Sequence, residues 1–174
     1  GRPEAPEGVI DLPLEKSGEP GDEQVRPTAD GQVARTRYRT VSPHGAHGAH
    51  GAATLLAVEL DTGRTHQIRA HLAAIGHPLL GDPRHGNDAS HALERRLGLE
   101  RLFLHAGTLR LPHPETGAAL VLEERLPDDL ARAGPLAPQP DQLAQPAHFE
   151  PRPCHMRLPS CRVPGEVRWS GAGL

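Results

Sequence analysis

The sequence predicts an α+β domain, a mixed but mainly antiparallel sheet with short helices. Three observations predict it. Two strand-like runs lie before residue 60, one short helical pattern follows near residues 65–76, and two apolar runs flank a Gly-containing turn at residue 117. Strand, strand, helix and hairpin in that order lack the regular βαβ alternation of a parallel sheet.

Val33-Ala-Arg-Thr-Arg-Tyr-Arg-Thr-Val41 alternates with period two. One face carries Val33, Arg35, Arg37, Arg39 and Val41, and the other carries Ala34, Thr36, Tyr38 and Thr40. The three arginines form a basic stripe, read either as a solvated face or as a surface for RNA. Thr54-Leu-Leu-Ala-Val-Glu-Leu60 is a second strand, closed by the turn Asp61-Thr62-Gly63. From Thr65 the period changes: Ile68, Leu72 and Ile75 fall at i, i+4 and i+7, the apolar face of a helix. Thr65 is the expected N-cap, and Gly76 followed by His77-Pro78 the expected stop. Arg101–Ala106 and Thr108–Leu111 read as strand, His113–Gly117 as a turn, and Ala118–Leu126 as the returning strand, ended by Pro127.

Composition bounds the rest. The 174 residues hold 36% apolar and 2% aromatic residues, with 19 Gly and 19 Pro. That is below the ~45–50% apolar content of an average soluble domain. Residues 1–132 carry the patterning and form the expected domain. Residues 133–174 hold eight prolines without periodicity and are expected to be a disordered tail. No apolar run approaches the ~20 residues of a membrane span, and two cysteines, Cys154 and Cys161, make no disulfide framework. A cytoplasmic protein is the expectation. The net charge of −3 hides a basic centre: residues 24–72 carry six Arg against Asp30, Glu59 and Asp61. Phosphate binding follows local rather than total charge, so nucleic acid stays open as a partner.

The chemistry concentrates in Thr62-Gly-Arg-Thr-His-Gln-Ile-Arg-Ala-His71. Arg64 and Arg69 bracket a helix start that is already electropositive through its free N–H groups. Two cations there call for an anion among them, either a phosphate or a buried carboxylate. The alternative is that both arginines run out to solvent. Metal is the weaker reading. His44, His47 and His50 are spaced i, i+3 and i+6 in a Gly-Ala repeat, and Cys154-His155 with Cys161 lacks a standard zinc spacing.

Leu60–Pro83, ending in Ile-Gly-His-Pro-Leu-Leu-Gly-Asp-Pro, resembles the third motif of the RluA-type pseudouridine synthases. Glu7–Leu14, Gly31–Val41, Arg101–Ala106 and Leu111–Gly117 resemble further segments of that family, in its order. The resemblance implies the C-terminal part of a pseudouridine synthase catalytic domain. It implies isomerisation of uridine to pseudouridine in rRNA, or less readily tRNA, with no cofactor and no metal. The uridine is flipped from its stack, its glycosidic bond breaks, and the base rejoins through carbon. Arg69 then pairs with the catalytic Asp, Ile68 lines the base pocket, and Arg64, Thr65 and His66 contact RNA together with Arg35, Arg37 and Arg39. The family's H-R-L-D-x-x-T-S-G run, which carries that Asp, is absent from the 174 residues, and His85 stands where a Tyr is usual. A fragment inactive by itself is the expectation, with a non-catalytic RNA-binding module as the alternative.

Overall fold

The structure is a computed structural model that describes residues 1–19, 21–44 and 53–132. The expected tail from residue 133, with Cys154 and Cys161, lies outside the described residues, as do His47 and His50. In chain order the elements are β1 (Glu7–Asp11), β2 (Leu14–Ser17), β3 (Gln24–Pro27), β4 (Arg35–His44) and β5 (Ala53–Leu60). Helix α1 (Gln67–Ala74), helix α2 (Asp88–Leu97), strands β6 (Thr108–Pro112) and β7 (Ala119–Glu123), and the single turn α3 (Asp128–Ala131) follow. The sheets are β1-β4-β5, β2-β3 and β6-β7, and every pairing is antiparallel. The α+β reading holds.

The alternation read in residues 33–41 decides which face is covered. Ala34, Thr36 and Tyr38 are buried on the side of α1, where Tyr38 and Ile10 meet Leu72. Leu12, Leu56, Val58, Ile68, Ile75 and Leu79 complete this cluster, and a second one joins Leu14, Val25, Ala34 and Ala70. The arginines point to the other face. There the register sets an acid directly opposite each of them: Asp11 across from Arg35, Glu59 across from Arg37, and Glu7 across from Arg39. Asp61 adds an ion pair to Arg37 at 3.0 Å and stands 3.8 Å from Arg35. Arg35 and Arg37 thus have ion-pair partners on this face, while Arg39 meets its acid, Glu7, only across the strand register.

Helix α1 begins one residue later than expected. Its N-cap is His66 rather than Thr65, in left-handed backbone at φ 52, ψ 20, and no side chain caps it. The cause is Gln67, whose buried amide holds the preceding turn. Gln67 Nε2 donates to the Arg35 carbonyl (2.9 Å) and Thr36 Oγ1 (3.0 Å), and its Oε1 accepts from Arg64 N–H and the Thr62 hydroxyl. With that turn tied to β4, the chain reaches helix through a strained residue. The stop at Gly76 is as read. Gly76 N–H bonds the Ala73 carbonyl, and His77 N–H bonds that of Leu72, the paired bonds of a Schellman end.

Several segments depart from expectation. Residues 101–106 are not a strand. Phe103 N–H bonds the Leu80 carbonyl instead, so the segment lies against the 80–82 turn without entering a ladder. Helix α2 was not anticipated, although Asn87 and Ser90 form a reciprocal capping box at its start and Gly98 ends it at φ 62. Strands β1, β2 and β3 are likewise absent from the strand pattern read in the sequence.

His71 is fully buried and fully satisfied. Its Nε2 faces the Leu12 carbonyl at 2.9 Å, which makes that nitrogen the donor, so Nδ1 accepts from the Thr36 hydroxyl at 2.8 Å. Burial pushes the His71 pKa below the ordinary histidine value. The folded state then binds fewer protons than the unfolded chain just below the ordinary value. Stability is full at neutral pH and falls as pH drops through that range. Thermal unfolding between pH 7 and 5 is expected to show this decline, and His71→Gln should flatten it. A decline equally steep in His71→Gln would place its origin elsewhere.

Candidate functional site

The anion beside Arg69 is a carboxylate. Arg69, at the third position of α1, donates from Nε to Asp82 Oδ2 at 2.8 Å and from Nη2 to Asp82 Oδ1 at 2.7 Å. This is the two-pronged fork that a guanidinium makes with a carboxylate. The Asp82 side chain is 0% exposed, and that of Arg69 is 14% exposed. Asp82 Oδ1 also accepts the backbone N–H groups of Arg84 (3.0 Å) and His85 (3.1 Å). Burial by itself raises a carboxyl pKa. The fork and the two N–H groups outweigh it and hold Asp82 well below the usual carboxylate range, charged at every working pH.

The loop around Asp82 is bolted on both sides. Arg84 reaches back across the β2–β3 turn and donates to the carbonyls of Glu23 and Gly21, each at 2.6 Å. Gly81 stands at φ 73 with its α-carbon pressed against the Arg101–Leu102 backbone. The segment once read as strand is thus a backstop for the Asp82 turn. Above the fork, the His66 and His85 rings meet edge to face with centroids 6.0 Å apart. His85 Nδ1 lies 3.3 Å from Asp82 Oδ2 without hydrogen-bond geometry. Burial first, and then the nearby Arg69, His85 and Arg84, push the His66 pKa down.

Of the residues singled out from sequence, the structure gathers Arg69, His66 and Ile68 on one short helical start. Ile68 packs partly into the core, against the Ile10–Tyr38–Leu72 cluster. Arg64 does not join Arg69. Its Nε donates to the Val33 carbonyl at 3.1 Å, and Thr65 is exposed. Arg35, Arg37 and Arg39 lie on the opposite face of the sheet, matched by acids. Asp82 itself was not singled out, although it stands in the same motif, 13 residues beyond Arg69. Its signal in the sequence was the acid of the Gly81-Asp82-Pro83 turn that closes the motif. Among the described residues no group of three or more His, Cys, Asp or Glu could hold a metal ion. No helix among them is long and apolar enough to cross a membrane.

Comparison with known proteins bears on this geometry. The family model described as RNA pseudouridylate synthase matches residues 2–74. The chain is 43% identical over 133 residues to a ribosomal large subunit pseudouridine synthase D of Nitrosomonas europaea, covering 72% of the chain and 35% of that protein. It is 43% identical over 132 residues to an uncharacterized RNA pseudouridine synthase of Chloroflexus aurantiacus, covering 75% and 37%. The chain thus spans about a third of the length of these relatives. Among solved structures, human RNA pseudouridylate synthase domain containing 1 superposes with a TM-score of 0.61 at 23% identity, covering 82% of the chain and 60% of that structure. That likeness is one of fold.

Proposed function

Because the chain belongs to the RNA pseudouridylate synthase family, of RluA type, we propose that its protein isomerises uridine to pseudouridine in RNA. One observation carries the reading: Arg69 is held rigidly at a helix start, with Nε and Nη2 occupied by Asp82 and Nη1 hydrogen-bonded to no described residue. A guanidinium fixed in this way can offer its remaining prong to a second anion, whether a catalytic carboxylate or a substrate oxygen, at no further cost in side-chain order. Ile68, beside it and half-buried, gives the flipped base an apolar wall. In this reading His66, whose ring meets that of His85, contacts the RNA beside Arg69. Arg35 and Arg37 already pair with acids on the far face of the sheet, so we assign the RNA contacts of this reading first to the Arg69 side.

Ribosomal RNA is the substrate we favour, on the similarity to a relative named for the large ribosomal subunit. We propose that the attacking carboxylate is not Asp82, which is wholly buried and already committed to Arg69. Mapping pseudouridine in large-subunit rRNA from a strain lacking the gene is expected to show at least one modification missing. An unchanged profile would sink the assignment to rRNA. The purified 174-residue chain should release no tritium from uridine labelled at carbon 5, and release above background would show a carboxylate of the chain doing the chemistry.

A further inference from the structure

We propose that Asp82 is a positioning residue for the reaction, acting only through Arg69. The inference rests on the reading of Arg69 as a contact of the reacting site. A free arginine at a helix surface samples several rotamers and loses that side-chain entropy when it is pinned. Here the pinning is complete before any RNA arrives. The fork fixes the plane of the guanidinium, because two parallel bonds of 2.8 and 2.7 Å admit one orientation.

Asp82 can serve as that anchor because its own freedom is removed. Its Oδ1 is held by the Arg84 and His85 N–H groups, and its carbonyl accepts from Gly86 N–H at 3.0 Å. The turn carrying it is pressed against Arg101–Leu102 and strapped to the β2–β3 turn by Arg84. A charge buried this completely is costly unless paired. An acid needed only to neutralise Arg69 could have stood at the surface. Full burial adds rigidity, which a positioning group needs.

The test uses the protein as expressed from its own gene, with its own RNA as substrate. Asp82→Asn is expected to lower kcat for pseudouridine formation about ten- to a hundredfold, the cost of a misplaced group, with KM for RNA within about twofold. The decisive measurement is chemical rescue. Added methylguanidinium should restore part of the activity of Arg69→Ala, because Asp82 still offers its two oxygens. It should restore none in the double variant Arg69→Ala/Asp82→Asn. Should Asp82→Asn fail to fold, Asp82→Glu keeps the charge and shifts the fork by one methylene, and there a lowered kcat at unchanged KM is expected. Wild-type kcat in the Asp82 variants, or equal rescue with and without Asp82, would overturn the positioning role while leaving Arg69 in place. Wild-type turnover in Arg69→Ala would instead overturn the reading beneath it.

Discussion

Arg69→Ala should cut the pseudouridine formation proposed above about a hundred- to a thousandfold and lower thermal stability in the same step. The catalytic loss follows from removing a preorganised cation from a largely dry site, which costs on the order of a hundred- to a thousandfold in kcat for comparable donors. The stability loss follows from Asp82. Sequence alone suggests that Arg69 is dispensable to packing, since its head only needs to reach a site beside Ile68. The structure instead shows a carboxylate with 0% exposure that depends on that head. Stranding one member of a buried pair costs roughly 3–5 kcal/mol, a fall of roughly 10 °C in melting temperature for a domain of this size.

The pH dependence separates this cause from a packing defect. In the wild type Asp82 is held below its ordinary pKa, so its contribution is present at neutral pH and lost as pH falls below the usual carboxylate range. In Arg69→Ala, burial opposes the charged carboxylate with only two N–H groups left to answer it. The deficit of the variant should therefore narrow on acidification. Arg69→Lys should recover part of the stability and little of the turnover, because an ammonium restores the charge but not the planar fork. Melting curves from pH 7 down to pH 4 decide the matter, and a deficit that does not change with pH would refute the buried-pair account.

Gly81→Ala is expected to be the most damaging single methyl group in the described chain. Two penalties coincide at this position. The backbone stands at φ 73, where a Cβ costs about 1–2 kcal/mol. That Cβ would also fall on the Arg101 carbonyl and within 2.8 Å of Leu102 N. The neighbouring strand of chain cannot easily retreat, since Phe103 N–H is bonded to the Leu80 carbonyl at 2.8 Å. Together the clash and the strain should cost on the order of 3 kcal/mol or more and displace Asp82 along with its turn. Gly98→Ala is the matched control: φ is 62, but the space around it is open, so only the backbone penalty of about 1 kcal/mol applies. Thermal unfolding of the two variants side by side should show a clear gap. Equal melting temperatures would mean that the 101–103 segment is not the rigid backstop described above.

Local rules carried a large part of the fold. Alternation in residues 33–41 correctly separated Ala34, Thr36 and Tyr38 from the arginines, because a strand's two faces follow from parity alone. The 3.6-residue spacing of Ile68, Leu72 and Ile75 with a terminating Gly76 located α1 to within a residue or two, because cap and period are both encoded locally. The same rules misread residues 101–106. Apolar β-formers there meet a turn rather than a sheet edge, and a strand exists only where a partner offers a ladder. Helix α2 escaped because its apolar positions are few and its start signal, Asn87 with Ser90, lacks the usual Glu or Gln.

By itself the sequence determined that Arg69 sits at a helix start and left open whether an anion answers it or its head runs out to solvent. It also placed the chain's resemblance on the residues around that position. Only the tertiary structure decided which anion, and what becomes of the other arginines. Asp82 reaches Arg69 because the Gly81 turn is pressed on one side by Arg101–Leu102 and strapped on the other by Arg84. Arg35 and Arg37 find Asp11 and Asp61 because antiparallel pairing brings those acids alongside them, and Glu7 stands opposite Arg39 in the register. Helix and strand periods depend on neighbours along the chain. Charge pairing depends on distance in space, which a charge's position in sequence does not specify until the sheet register and the loop's anchors are in place.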